Sequence, residues 1–140
     1  MSHISRIELE IRDLEDLKRA CDRLGLQLIE GQTTYKWYGT WVGDSPLPEG
    51  LTPNDLGKCH HAIKVPDARY EIGIVQKDRK YILVWDYWYR GGLEEKLGKN
   101  AGLLKQAYAV ERVRREATLK GYRVHETKSE AGIRVHLTTH

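Results

Sequence analysis

The chain has 140 residues, of which 40% are hydrophobic and 31% charged, and its formal net charge is +3. These fractions are those of a soluble globular protein of one domain, and the mild charge does not require a nucleic-acid partner. No apolar run approaches the roughly 20 residues of a membrane span, the first residues lack a secretory signal pattern, and two cysteines make no disulfide framework; we therefore expect a cytoplasmic protein without a membrane partner.

The first part of the chain predicts a strand, a helix and a second strand. Apolar and charged residues alternate over 6–12, as in a strand with one wet face. Asp13 has the chemistry of an N-cap, and Gly25 stands where a left-handed C′ residue belongs. A helix is therefore expected over 14–24, and an extended pattern resumes over 26–30.

Two unusual segments follow. Residues 33–42 carry four aromatic side chains and are compatible with a strand or an ordered loop. Residues 43–57 collect prolines and glycines, so they predict an irregular loop of the kind that is often functional. Alternation over 60–66 then predicts a strand that pairs with the next hairpin.

The centre of the predicted fold is a β-hairpin over 70–89. β-Branched and aromatic residues fill both arms, 70–75 and 81–89, around a polar break. The second arm is apolar at consecutive positions, which is typical of a strand covered on both faces. We expect this hairpin to form the middle of one antiparallel sheet.

The last part of the chain predicts a long helix and a second hairpin. A helical segment is expected over about 93–120, either as one helix or as two pieces because Gly98 and Gly102 weaken its start, with Gly121 as its stop. A hairpin over 122–137 would set His125 opposite His136. The predicted buried stripe of the helix is Leu103, Ala107, Val110, Val113 and Ala117. The order of elements predicts an α+β fold: a single domain with a mostly antiparallel sheet of about five to seven strands and two helices packed on one face.

Large aromatic side chains supply the first candidate site. They surround Asp86, which is either an acid of raised pKa or an anchor for backbone N–H groups at a strand end. If the rings are exposed, they form a stacking surface for a peptide or for bases; if they are buried, they replace phenylalanine in the core. The candidate binding residues are His3, Trp37, Trp41, Trp85, Asp86 and Trp88.

Basic residues supply a second candidate. Arg112, Arg114 and Arg115 on the long helix and Arg123 on the following strand make a stripe that could follow a phosphate backbone. Acidic residues interrupt the stripe, which is also typical of a solvated helix face.

A cluster of possible metal ligands is the third candidate. Cys59, His60 and His61 are adjacent, so strand alternation lets at most Cys59 and His61 share a site. His3 and Asp86 are among the residues that could complete it. No metal-ligand spacing is present, and histidine on a polar sheet face is the simpler interpretation.

Several segments together resemble a known family. They are the opening residues 1–4, the helix region 11–25, the hairpin pieces 70–73 and 81–88, and residues 106–110. The chain is similar in these segments to the hypothetical chloroplast reading frame 35 family of cyanobacteria, red-algal plastids and other bacteria, a domain of unknown function. The resemblance implies relatives encoded near AAA-type ATPases, and it singles out His3, Asp86 and Trp88.

Three functions follow from these candidates. The first is a non-enzymatic binding or adaptor domain for a protein partner, such as an AAA-type ATPase. The second is binding of single-stranded nucleic acid or a nucleotide through aromatics and the basic stripe. The third is a metal-dependent enzyme that uses His3, His60 or His61 with Asp86. The first requires no cofactor and no catalytic residue.

Overall fold

The computed structural model describes residues 3–41, 46–48 and 50–139. Its regular elements occur in the order predicted from the sequence. The strands are β1 (Ile4–Ile11), β2 (Gln27–Glu30), β3 (His61–Lys64), β4 (Glu71–Lys77), β5 (Lys80–Asp86), β6 (Tyr122–Ser129) and β7 (Gly132–Thr139), and the α-helices are α1 (Leu14–Leu24), α2 (Leu93–Leu97) and α3 (Gly102–Leu119). The fold is α+β, as predicted.

Five strands form an antiparallel sheet in the order β1-β5-β4-β3-β2. The hairpin of β4 and β5 is therefore central, which confirms the prediction. Lys77 pairs with Lys80, so the connecting turn is two residues, shorter than the polar break in the sequence. The strands extend into that break because exposed polar residues are tolerated at the end of a hairpin.

Local capping sets the limits of α1. The Asp13 side chain accepts hydrogen bonds from the backbone N–H groups of Glu15 and Asp16, at 2.8 and 3.3 Å. Gly25 ends the helix in the left-handed conformation, with φ of 73°. Both caps confirm the predicted bounds. The helix connects β1 and β2, which lie at opposite edges of the sheet.

All three α-helices contribute to a core on one face of the sheet, where two helices were expected. The predicted long helix is divided into α2 and α3, joined by a short 3₁₀ turn over Lys99–Ala101. The central residues of this core are Ile7, Ile11, Leu17, Cys21, Ile63, Ile72, Ile74, Leu83, Trp85, Leu93, Leu97, Leu104 and Tyr108.

The inward stripe predicted for the long helix needs a correction. Leu104 and Tyr108 are buried, together with Ala107, Val110 and Ala117. Leu103 and Val113, which the periodicity placed inside, are 48% and 40% exposed. The inward face of α3 is thus shifted from the one that the apolar pattern favoured.

The irregular segment between β2 and β3 covers the second face of the sheet. A single bridge pairs Thr34 with Lys58, so residues 33–41 are an ordered loop and not a strand. Tyr35 is buried against Gly73, on β4. In the segment 43–57, the described residues 46–48 and 50–57 are irregular apart from a short 3₁₀ turn over Pro53–Asp55; residues 42–45 and 49 lie outside the described chain.

The strands β6 and β7 form a separate two-stranded sheet. His125 pairs directly with His136, as predicted. Ion pairs connect the hairpin to the helices: Glu126 contacts Arg23 of α1 and Arg114 of α3. Among the described residues, no helix is long and apolar enough to cross a membrane.

Candidate functional site: the aromatic cluster at Asp86

Asp86 is a fully buried carboxylate at the end of β5. Its Oδ1 accepts hydrogen bonds from the backbone N–H groups of His3 (3.0 Å) and Trp88 (3.1 Å). Its Oδ2 accepts one from the backbone N–H of Tyr38, at 3.1 Å. One side chain therefore joins three segments that are distant in sequence. Of the two interpretations of Asp86, this geometry supports the anchor for backbone N–H groups.

Around this anchor lies a group of side chains that we call the aromatic cluster. The His3 and Tyr87 rings stack with centroids 5.3 Å apart, and Trp88 makes edge contacts with Tyr38 at 5.1 Å and Tyr89 at 5.8 Å. The Arg90 guanidinium lies 5.7 Å from the centroids of both Trp88 and Tyr89. The cluster consists of His3, Tyr38, Tyr87, Trp88, Tyr89 and Arg90.

The cluster is only partly buried. Tyr89 is 70% exposed and Tyr38 is 42% exposed, whereas His3, Tyr87 and Trp88 are half-buried. The Arg90 Nε donates a hydrogen bond to the Tyr89 hydroxyl, at 3.0 Å. Exposed aromatic rings beside an arginine combine apolar area with polar ends, which is the composition of protein-binding surfaces.

The other predicted tryptophans lie elsewhere. Trp85 is 2% exposed in the helix-side core, and its Nε1 donates a hydrogen bond to the Ser5 hydroxyl at 2.9 Å. Trp37 and Trp41 are half-buried and pack against the core on the second face of the sheet. Of the four tryptophans, Trp88 alone belongs to the aromatic cluster. The sequence analysis did not identify Tyr89 and Arg90 as candidate binding residues, although they directly follow Trp88 in the chain.

The predicted basic stripe is largely engaged within the fold. Arg115 pairs with Asp13 and lies 3.4 Å from Asp16, both on the first helix and its cap. Arg114 pairs with Glu126 of β6 at 2.7 Å. Arg112 lies 3.6 Å from Glu116 and 4.0 Å from Asp16, and the Arg123 side chain is exposed on β6. The helix arginines thus connect α3 to its neighbours.

The possible metal ligands also have partners in the fold. Cys59 is buried, its thiol donates to the carbonyl of Gln32 at 3.2 Å, and burial raises its pKa to about 11. The Nδ1 of His60 accepts from the backbone N–H of Gln76, and the Nδ1 of His61 accepts from that of Gly31, both at 3.0 Å. Within the described part of the chain, no three His, Cys, Asp or Glu side chains converge as a metal site.

A family model described as "Protein of unknown function (DUF1257)" matches residues 54–138, more than half of the chain. The match contains Asp86 and the cluster residues from Tyr87 to Arg90, whereas His3 and Tyr38 lie before it. No curated protein and no solved structure matches the chain.

Proposed function

The chain belongs to the DUF1257 family of proteins of unknown function, and we propose that it is a small non-enzymatic binding domain that docks a protein partner through its aromatic cluster. The observation that carries this proposal is the construction of the cluster. A fully buried carboxylate holds the backbone N–H groups of His3, Tyr38 and Trp88, so the three segments that carry these rings are joined before a partner binds. Binding to a preorganised backbone loses less conformational entropy.

A protein surface suits this cluster better than bases do. Stacking of bases requires an open ring face, but the ring of Trp88 already contacts Tyr38, Tyr89 and the Arg90 guanidinium. The helix arginines that would follow a phosphate backbone pair with carboxylates of the same chain. Both observations weigh against the nucleic-acid alternative.

The cluster also indicates the chemistry of the partner. Within the described chain, Arg90 forms no ion pair, and its side chain is exposed beside Tyr89. A partner that places an aliphatic or aromatic side chain on Tyr89 and a carboxylate on Arg90 would complement both groups. The resemblance to the reading frame 35 family supports an AAA-type ATPase or its complex as the class of protein to test.

The test is affinity purification of the protein from its host, with mass spectrometry of proteins, nucleic acid and metals in one eluate. We compare the wild type with Tyr89→Ala and Arg90→Glu, two changes at exposed positions. Tyr122→Ala is the matched control, because Tyr122 is an exposed tyrosine on β6 outside the cluster.

The expected result is a near-stoichiometric protein partner that the wild type and the Tyr122 variant retain and the two cluster variants lose. Retention of the partner by both cluster variants would overturn the proposed surface. An eluate with nucleic acid or stoichiometric metal in place of a protein would favour the second or third function instead.

A further inference from the structure

A cavity of about 350 Å³ opens between the irregular loop and the second face of the sheet. We call it the basic cavity. Its floor is apolar and consists of Val75 on β4 with Ile82 and Val84 on β5. Pro48 and Leu51 of the loop lie opposite. The volume is within the range of small-molecule sites, and the cavity shares no residue with the aromatic cluster.

Three cationic side chains stand at this cavity. Arg6 of β1, Lys58 of the loop and Lys77 of β4 all line it and are exposed. None of the three forms an ion pair with a carboxylate in the described part of the chain. An excess of cations over an apolar floor attracts an anion, and the described lining has this excess.

Among the described residues, Asp55 is the one carboxylate that lines the cavity, and it already accepts hydrogen bonds within the loop. It accepts hydrogen bonds from the backbone N–H of Thr52 at 2.8 Å and from the Thr52 hydroxyl at 3.0 Å. These two bonds, the backbone one first, hold the pKa of Asp55 below its usual value, and the charges of Lys58 and Lys77 add to the effect. Asp55 therefore stays ionised and is held by the loop, and three cationic side chains face this one described carboxylate at the cavity.

Two further groups define what the cavity can do. The Nδ1 of His60 accepts the Gln76 N–H, so in the neutral ring the hydrogen lies on Nε2, which is a donor. The Cys59 thiol, with its pKa near 11, is not a nucleophile at neutral pH. The polar groups of the lining thus offer donors for binding an anion, and the cysteine offers no covalent chemistry.

We propose that the basic cavity binds a small organic carboxylate with an apolar body. The body, an aliphatic chain or an aromatic ring, packs against Val75, Ile82 and Val84. The carboxylate lies at the rim between Arg6 and Lys77, within reach of the Lys58 charge. This binding site is separate from the partner surface at Asp86, so the two sites can be tested independently.

The test uses decanoate as the probe, measured by isothermal titration calorimetry on the whole 140-residue chain. Decanol and decylamine carry the same apolar chain without the negative charge. The expected result is saturable binding of decanoate at one site, weaker binding of decanol and none of decylamine. Absence of saturable decanoate binding, or equal binding of decylamine, would overturn the proposal.

Variants then assign the site. Lys77→Met and Arg6→Met keep the aliphatic stem and remove one charge, and each is expected to raise the Kd of decanoate about tenfold. Lys99→Met is the matched control, since Lys99 is an exposed lysine in the 3₁₀ turn before α3. If Lys99→Met weakens binding as much as Lys77→Met, the effect is one of net charge and the site is wrong.

Ile82→Trp provides a second readout by filling the cavity from its floor. Binding of decanoate should be lost while the circular dichroism spectrum stays that of the wild type. If the larger side chain disturbs folding, Arg6→Met and Lys77→Met still test the proposal. Both positions are exposed and lie outside the core, so these two variants are expected to fold. Unchanged decanoate binding in a folded Ile82→Trp variant would place the ligand elsewhere.

Discussion

At the scale of single residues, the Asp86 carboxylate determines whether three segments stay together. Replacing Asp86 with Asn leaves one oxygen for the N–H groups of His3 and Trp88 and turns an amide NH₂ toward the N–H of Tyr38. Two donors then face each other in a site that water does not reach. We expect Asp86→Asn to lower the free energy of unfolding by about 2 kcal/mol, as urea denaturation would measure.

Asp22→Asn on the exposed side of α1 is the control for this change. A loss of less than about 0.5 kcal/mol in the Asp86 variant, comparable to that of an ordinary surface substitution, would contradict the role of the carboxylate as anchor.

Gly73 is a second position where a single added carbon atom is expected to destabilise the fold. A Cβ at this site would stand 2.4 Å from the Tyr35 ring, which packs on the strand and is itself buried. Gly73→Ala should therefore destabilise the fold by about 2 kcal/mol through overpacking. Thermal denaturation of a double-mutant cycle with Tyr35→Leu provides the check: the cost of the alanine should fall when the tyrosine ring has been removed. An equal cost with and without the Tyr35→Leu change would show that the Tyr35 ring is not its source.

At the scale of elements, the second hairpin depends on an ion cluster. The carboxylate of Glu126 on β6 accepts two hydrogen bonds from the Arg23 guanidinium, at 2.5 and 3.0 Å, and one from the Arg114 guanidinium, at 2.7 Å. The Glu126 side chain is only 18% exposed. Removing the charge of this carboxylate leaves Arg23, whose side chain is 20% exposed, with one counter-charge fewer in a shielded site, which costs more than the loss of a surface pair. Glu126→Gln should lower the free energy of unfolding by about 2 kcal/mol.

Amide hydrogen exchange gives the more specific measurement, because loss of the cluster should speed exchange in β6 and β7 more than in the five-stranded sheet. Glu130→Gln, at the exposed turn of the same hairpin, is the control. Uniform acceleration across both sheets would mean that the hairpin does not open separately.

The same ion cluster explains why one element was predicted less well than others. The bounds of α1 and the central hairpin follow from local signals: an N-cap at Asp13, a left-handed Gly25 and β-branched arms. For α3, apolar periodicity selected Leu103 and Val113, but the inner face of the helix includes Glu111, paired with Arg23 at 3.0 Å. Buried ion pairs carry no apolar signal, so the pattern alone gave the wrong phase.

The candidate site could be predicted only in part, because local sequence patterns mark some of its residues and do not encode its long-range contacts. The sequence marked Asp86 and Trp88 as a carboxylate among rings, and the strand ending there was clear. Strand alternation turns Trp85 to the helix-side core and Asp86 to the other face, which a run of consecutive aromatics does not reveal. His3 and Tyr38 reach Asp86 from 83 and 48 residues away, and no local spacing encodes such contacts.

At the scale of the whole molecule, two carboxylates near α3 give the stability opposite dependences on pH. Hydrogen bonding to Arg23, chiefly, holds the pKa of Glu126 below its ordinary 4.5. The stabilisation of the fold by the ionised Glu126 side chain is present above about pH 4.5 and is lost as the pH falls through the folded-state pKa of Glu126. Burial raises the pKa of Asp16 above 3.8, although Arg112 and Arg19 oppose the shift. A raised carboxyl pKa gives stability below about pH 3.8 that is lost as the pH rises through the folded-state pKa.

The opposite pKa shifts of Glu126 and Asp16 predict that the stabilities of two isosteric variants depend differently on pH. The deficit of Glu126→Gln relative to the wild type should shrink as the pH falls below about 4.5, because the wild type loses its ion pairs there. Asp16→Asn should behave in the opposite way and gain on the wild type as the pH rises, since the variant avoids the burial of an anion whose Oδ1 lacks a hydrogen bond. Urea denaturation across the acid to neutral range measures both differences. If the stability of Asp16→Asn instead falls relative to the wild type as the pH rises, the direction assigned to the pKa of Asp16 is wrong. The Asp16 anion is then stabilised by its arginine neighbours, Arg19, Arg112 and Arg115, by more than burial destabilises it.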